Sequence, residues 1–301
     1  MYKLVKILGR GSFGQVFLAH KFNDKKNIAL KRISIYRLSL RDKKNLIDEI
    51  RILRFCNCPY IIRFIDCQYG GSHIDIMTGY VKRGDLYQII QKRCKKFDES
   101  TIWSYFIQCC LGIEYLHKNK IIHRDIKSSN ILINHVDHVY LTDFGASKVL
   151  LSSNTLTSTQ IGTPLYISPE MISKKDYSFS IDIWGLGCLL FEIITFSPPF
   201  LAKNIRSLST KIMTINFSRN LMIYKDKYST ILLNLPDKIL IKDVKERLTI
   251  EQILKLEEMQ QHTYLIPYET RKSVDITHLH YFFRNISGKK WQDVIQTIKN
   301  S

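Results

Sequence analysis

Four polar side chains within residues 122–145 are of types that could hold a hard cation and move a proton. The stretch reads IHRDIKSSNILINHVDHVYLTDFG and contains Asp125, Lys127, Asn130 and Asp143. Residues 131–133 and 139–141 read as two short strands of a hairpin, with the first three polar residues on the loop before it and Asp143 just after it. Such a hairpin returns Asp143 to the side of Asn130. Two oxygen-bearing side chains on neighbouring loops suit Mg²⁺, which prefers oxygen ligands and keeps water or phosphate oxygens as its other partners. Asp125 is then left for other work. HRD or DFG alone is an ordinary coincidence in a loop-rich region, but both at this separation are a specific signal.

Several elements have to position this loop. Residues 3–8 alternate as a strand, GRGSFGQV follows, and residues 16–19 resume a strand, so that Gly9, Gly11 and Gly14 fit G-x-G-x-x-G. A glycine-rich turn lets backbone amides approach phosphate with no Cβ in the way. A dinucleotide site would run from that turn into a helix, with an acidic residue about 20 positions on, whereas this turn runs into QVFLA. NIALK then ends at Lys31. Over residues 41–55, Leu46, Ile50 and Leu53 recur at helical spacing, which gives a helix with one buried stripe and carries Glu49, with Asp48 as the alternative acid. Residues 74–80 read as a strand leading into VKRGDL. An amphipathic helix over 100–118, with Ile102, Phe106, Cys109, Ile113 and Leu116 on one side, delivers the chain to His123. Residues 181–196 are apolar, but they are shorter than the ~20 residues of a membrane span and contain Asp182 and Glu192, so they read as a buried helix.

Taken together, these motifs resemble the protein kinases over roughly residues 3–257. GTPLYISPE, DIWGLGCLLFEI and SPPF are most similar to the NIMA-related subfamily. The resemblance implies an α+β fold of two lobes, a small β-rich N-lobe over about 1–80 and a larger, mainly helical C-lobe over about 82–257, with residues 258–301 as an extension. It implies ATP and Mg²⁺ as cofactors and protein substrates with Ser or Thr acceptors. Lys127, two residues after Asp125, and Gly162-Thr163-Pro164 are Ser/Thr patterns. In the family arrangement Asp125 is the base, Lys127 steadies the transferring phosphoryl group, and Asn130 and Asp143 hold metal. Lys31 contacts the α and β phosphates and pairs with Glu49. Nucleotide-binding positions carried over are Gly9, Arg10, Gly11, Ser12, Phe13, Gly14, Val16, Ala29, Thr78, Gly79, Val81, Asp85 and Leu132, besides Lys31 and Asp143. Thr78 takes the gatekeeper position. Gly79 stands where an acid is common, which leaves the backbone of Gly79 and Val81 to meet the adenine. Asp85 reads equally as a ribose ligand and as a helix cap.

The resemblance also has departures. Cys58 replaces a usual histidine in CPYIIRFID, SPE replaces APE, and Ser129 stands where kinases that favour basic peptides often have an acid, so no strong arginine requirement is expected. Ser and Thr crowd residues 152–163. Phosphorylation there adds about −1.5 to −2 charges, and Arg124 is the expected receiver, with Thr159 as the preferred regulatory site. The bland alternative is a polar surface loop. Thr163 is expected to bond Asp125 and Lys127. Asp182 is expected to tie back to the HRD backbone, and Glu170 to pair with Arg247.

Composition sets wider bounds. Hydrophobic residues make up 45% and charged residues 24% of 301, enough to bury a core. The net charge of +18 comes from lysines scattered along the chain, which reads as solvated surface with no specific nucleic-acid or membrane binding. Seven cysteines, an odd number with no CxxC pair, suggest reduced thiols. With no signal-peptide pattern in MYKLVKILG, the expected location is cytoplasmic, nuclear or both. Near the end, Trp291, Val294, Ile295 and Ile298 fall on one side of a short helix expected to pack on the helical lobe or, as the second option, to meet a regulatory partner. His278 and His280 form a pair without a third ligand, and no heptad array is present. A NIMA-related resemblance implies a cell-cycle or cytoskeletal role. The competing class is a pseudokinase scaffold, which usually lacks a counterpart of Lys31, Asp125, Asn130 or Asp143, and all four are here.

Overall fold

The computed structural model describes residues 2–11, 14–22, 24–36, 38–149, 164–173, 178–202, 205–214 and 221–266, with 295, 296 and 298. The chain divides into two units, one of Met1–Asn57, Ile61–Lys82 and Thr277–Ser301, the other of Cys58–Tyr60 and Arg83–Ile276.

The first unit is built on five antiparallel strands, β1 (Tyr2–Gly11), β2 (Gly14–Lys21), β3 (Asp24–Ser34), β4 (Phe64–Tyr69) and β5 (His73–Gly79), in the spatial order β1-β2-β3-β5-β4. The two-residue period of the strands turns Ala19, Ile28, Leu30 and Met77 into one buried cluster. Arg32 and Asp75 lie directly opposite on β3 and β5 and join through two 2.7 Å hydrogen bonds. Helix α1 (Leu40–Phe55) packs beside β4. Its N-cap is Ser39, whose hydroxyl accepts the Asp42 amide at 3.1 Å. It buries Leu46, Ile50 and Leu53, as their spacing requires, and Glu49 with them. Ile298 is fully buried and is grouped with this unit. Its apolar spacing indicates that it is covered but carries no information on what covers it.

The second unit is mainly helical. Its described helices are α2 (Leu86–Lys92), α3 (Glu99–Lys118), α4 (Pro169–Ile172), α5 (Ser180–Thr195), α6 (Ile205–Thr214), α7 (Thr230–Ile239), α8 (Ile250–Leu254) and α9 (Glu257–Gln261). Two small antiparallel pairs join them: β6 (Ile121–Ile122) with β9 (Lys148–Val149), and β7 (Ile131–Ile133) with β8 (Val139–Leu141). Helix α5 is buried along its whole length after Ser180 and packs against α3 and α7. It is the centre of this unit's core, and no described helix is long and apolar enough to cross a membrane. A Cβ on Gly185 would lie 2.9 Å from Cβ of Ile126, so the absence of a side chain there lets α5 lie directly against the loop that carries Asp125.

Candidate active site

Each unit carries its own group of candidate residues. In the first, β3 presents Lys31 and α1 presents Glu49, and Lys31 Nζ donates to Glu49 Oε1 at 2.7 Å. The Glu49 carboxylate is buried and the lysine head is partly exposed, at 5% and 30%. Burial favours this pair only because each ion meets its opposite, and the helix fixes which carboxylate does so. Asp48 instead pairs with Arg51 on the same helix at 3.3 Å, so Glu49, the preferred reading, is the partner of Lys31. Val16 and Ala29 flank Lys31 in the register of β2 and β3. Around Gly9 the space is open where a Cβ would stand. Gly14 has a different reason for being glycine: a Cβ there would lie 1.9 Å from the Arg32 carbonyl oxygen on β3.

Arg10 and Gly11 close the end of β1 opposite Gln15 and Gly14. Thr78 pairs with Ala29 on β3 and Phe64 on β4. The Gly79 amide already donates to the Arg63 carbonyl at 2.9 Å, so what Gly79 offers a base is its carbonyl, as an acceptor. Val81 follows at the end of this unit, half-buried.

In the second unit, Asp125 is held from two sides. Lys127 Nζ donates to its Oδ2 at 2.7 Å, and Asn130 Nδ2 donates to Oδ2 at 2.9 Å and to its carbonyl at 2.8 Å. The β7–β8 hairpin returns the chain as its alternation requires, with the Thr142 amide on the Asn130 carbonyl at 3.0 Å. Asp143 comes next, exposed, with φ of 64°. With its amide nitrogen turned to Asp125, Asn130 keeps Oδ1 as an acceptor, and Asp143 brings a carboxylate. That all-oxygen donor set fits a hard cation such as Mg²⁺. Asp85 caps α2, as one of its two readings expects, by accepting the Gln88 amide at 2.8 Å, and its backbone bridges to Leu132. Burial pushes the Asp85 carboxyl above its usual range, against the hydrogen bonds from Gln88 and from its own backbone, which lower it.

Helix α5 anchors the loop from behind. Asp182 accepts the amides of His123 at 2.9 Å and Arg124 at 2.8 Å, and its Oδ2 also meets His117 Nε2 at 2.9 Å. Burial raises the Asp182 carboxyl, but the hydrogen bond and charge of His117, with help from His123, outweigh it and leave the group below its usual value. His123 ties the loop to the hairpin end. Its Nε2 meets the Thr142 carbonyl at 3.2 Å, and its Nδ1 lies 3.3 Å from the Asp125 amide, which suits a ring protonated on Nε2. Phe144 is buried against the His123 ring, at 5.0 Å between centroids. Arg124 donates to the Ser147 carbonyl at 3.1 Å.

Glu170 and Arg247 form a buried fork, at 2.6 and 3.1 Å, and Arg247 also donates to the Ile241 and Ser180 carbonyls. Cys109 and Cys110 are buried thiols in α3; burial pushes Cys109 up to about 12, away from any nucleophilic use at neutral pH.

A contact the sequence reasoning missed lies on α5. Glu192, buried, accepts a hydrogen bond from the Tyr166 hydroxyl. Its signal was present as a second acid in an otherwise apolar helix, but an acid does not name its partner. Ser12, Phe13, Thr159, Thr163, His278, His280, Trp291 and Val294 lie outside the described residues.

The sequence profile described as "Protein kinase domain" matches residues 2–264. The chain is 33% identical over 269 residues to the serine/threonine-protein kinase Nek6 of Oryza sativa subsp. japonica, covering 89% of this chain and 48% of that protein. It is 34% identical over 268 residues to the probable serine/threonine-protein kinase nek3 of Dictyostelium discoideum, covering 87% and 24%. With the human serine/threonine-protein kinase Nek5 the identity is 36% over 219 residues, covering 72% and 31%. The chain therefore spans about half or less of the length of these relatives.

Proposed function

The chain belongs to the protein kinase family and is similar within it to the NIMA-related kinases, and from that premise we propose that it is an ATP-dependent protein serine/threonine kinase. In this reading the substrate hydroxyl oxygen forms a bond to the γ-phosphorus while the bond to the β–γ bridging oxygen breaks, and ADP leaves. Asp125 orients the hydroxyl and takes its proton. Lys127, already beside Asp125, offsets the charge of the transferring group, and Lys31, held by Glu49, takes the α and β phosphates. Asn130 and Asp143 would hold Mg²⁺, which would supply positive charge against the phosphate oxygens.

The observation that carries this reading is the Asp125 carboxylate, held at 2.7 Å by Lys127 and at 2.9 Å by Asn130. An intact Lys31–Glu49 pair supports an enzyme over a scaffold. The test is transfer of labelled phosphate from ATP and Mg²⁺ to dephosphorylated casein. Wild type is expected to label it and Asp143→Asn to fall by about 10²-fold or more, as expected when one clamp on developing charge is lost. Equal labelling by the two would favour the scaffold.

Regulation belongs to the same proposal. Phosphorylation of Thr159, received by Arg124, raises activity, and Thr163 supports the substrate beside Asp125. After full autophosphorylation Thr159→Ala is expected to be less active than wild type, and equal rates would remove this site. Ser129, in the place of an acid, supports a substrate without a strong arginine requirement. A cell-cycle or cytoskeletal role follows only from similarity to NIMA-related kinases, a cytoplasmic or nuclear location is supported by the odd number of cysteines with no CxxC pair, and a peptide-library screen would define the substrate side.

A further inference from the structure

Part of the positive charge of the chain gathers at one place in the helical unit. Lys92, Arg93, Lys95 and Lys96 follow one another where α2 ends, and Lys225 and Lys227 lie in the turn before α7. The two segments are held side by side. Lys227 Nζ donates to the Lys96 carbonyl at 3.3 Å, the Tyr228 hydroxyl to the Phe97 carbonyl at 2.9 Å, and the Ser229 amide to Glu99 at 2.7 Å. The end of α5 joins them, because Lys96 Nζ donates to the Thr195 carbonyl and lies 4.4 Å from the centre of the Phe196 ring. Residues 92–99 and 224–229 together carry six cations against three acids. Glu99 is taken by Ser229 and Trp103, and Asp98 and Asp226 are exposed. Asp85, at the other end of α2, feels the charge of Lys92 without pairing with it. None of the six cations forms an ion pair among the described residues.

Cations gathered in this way repel one another, and charges within a Debye length of ~8 Å are not fully screened. Burial first, and the charge of Lys227 second, pull the Lys96 pKa below its ordinary value. A bound anion would relieve that repulsion. Arg93 has the geometry to take one. Its guanidinium lies 4.6 Å from the Phe97 ring centre, and its Nε donates to the Lys95 carbonyl at 3.1 Å, which fixes the fork and leaves the two Nη groups to meet an oxyanion. Arg93, Lys95 and Lys227 are all exposed. The aromatic rings serve these cations and offer no platform for stacked bases, since Phe97 and Tyr228 are buried and Lys96 lies over Phe196 and Tyr224. Ile223 beside them is a single exposed apolar side chain, whereas a lipid surface needs an apolar face. We propose that Arg93, Lys95 and Lys227 form a binding site for a phosphoserine or phosphothreonine in a protein segment, whose phosphate brings about −1.5 to −2 charges and three acceptor oxygens. Helix α2 runs from the Asp85–Leu132 bridge to Lys92 and is about 10 Å long at 1.5 Å per residue, so the site lies one short helix from β7, which follows the Asp125 loop. Its use, retention of substrates that already carry a phosphate, rests on the phosphoryl-transfer reading above, while the binding itself does not.

The probe is a short fluorescein-labelled peptide with phosphoserines among Gly, Ala and Ser, read by fluorescence anisotropy at low salt and without ATP. Wild type is expected to bind it about tenfold or more tightly than the unphosphorylated peptide, as charge-assisted hydrogen bonds to phosphate require. Arg93→Gln combined with Lys227→Gln should weaken binding of the phosphopeptide by about 10–10²-fold. Arg93→Lys keeps the charge but loses the fork, and should cost roughly threefold. Lys95→Gln combined with Lys227→Gln leaves Arg93 over Phe97, so it should keep the wild-type melting temperature and still weaken binding by roughly threefold or more. In phosphate transfer to casein, KM for the phosphorylated form should lie about threefold or more below that for the dephosphorylated form, with kcat unchanged, because retention raises the local substrate concentration. That gap should close in Arg93→Gln with Lys227→Gln. Equal affinity for the two peptides, or wild-type affinity in that double variant, would overturn the inference. So would tighter binding of oligouridine or of phosphatidylserine vesicles that the same variant abolishes, since the cations would then serve another polyanion. A wild-type chain that binds the phosphopeptide but transfers no phosphate to casein removes the phosphoryl-transfer reading and leaves this site standing.

Discussion

Arg124 and Asp143 both hold side-chain-bearing residues in the left-handed region, with φ of 67° and 64°. Such conformations cost on the order of 1–3 kcal/mol each and persist where the surroundings over-determine them. For Arg124 the surrounding group is Asp182, whose carboxylate accepts the successive amides of His123 and Arg124. Asparagine in its place would turn an N–H toward a donor and leave His117 without its carboxylate, so Asp182→Asn is expected to destabilise the fold by about 3 kcal/mol near neutral pH. The sign with pH follows from the lowered pKa of Asp182. The stability it contributes is complete above its unfolded value of 3.8 and is lost as pH falls through the lower folded value. Denaturant melts should therefore show a wide gap between wild type and variant at neutral pH that narrows in strong acid. A gap independent of pH would mean that the carboxylate charge is not what holds the loop.

Helix α1 and strand β3 show how an element turns a sequence pattern into chemistry. Leu46, Ile50 and Leu53 bury one stripe of α1, and that stripe places the Glu49 carboxylate on Lys31. Glu49→Ala leaves the helix former in place and releases the lysine, so kcat/KM for ATP should fall by roughly 10–10²-fold with little change in melting temperature, a loss of positioning more than of folding. Unchanged ATP kinetics would show that Lys31 needs no partner. The strands at 131–133 and 139–141, α1 and α5 were all legible because apolar period and chain length decide them locally. The Glu170–Arg247 fork and the Asp182 anchor were legible only through the resemblance. Three features were not settled by the sequence: the Asp85 cap, the unit with which Ile298 is grouped, and the Tyr166–Glu192 bond. Each depends on which distant segment arrives at a given face, and periodicity records only that something does.

At the scale of the molecule, the helical unit is closed by charge as well as by apolar packing. Arg247 and Glu170 are 0% and 2% exposed, and the arginine also lies over the Trp184 ring at 5.1 Å. The pair joins α4, which follows the Ser/Thr-rich segment, to the chain before α8 and to the start of α5. A buried pair of this kind contributes little net stability relative to an apolar pair, but breaking one half strands the other charge, at about 3–5 kcal/mol. Arg247→Leu should therefore lower the melting temperature by roughly 6–20 °C, using about 2–4 °C per kcal/mol for a domain of this size. Glu170→Met combined with Arg247→Leu should recover part of that loss, because neither charge is then left alone. Hydrogen exchange can locate the effect: amides of α5 and α8 should lose protection in Arg247→Leu while those of β2, β3 and β5 keep theirs. If the double variant were as unstable as the single, the fork would be contributing attraction in its own right instead of relieving a buried charge.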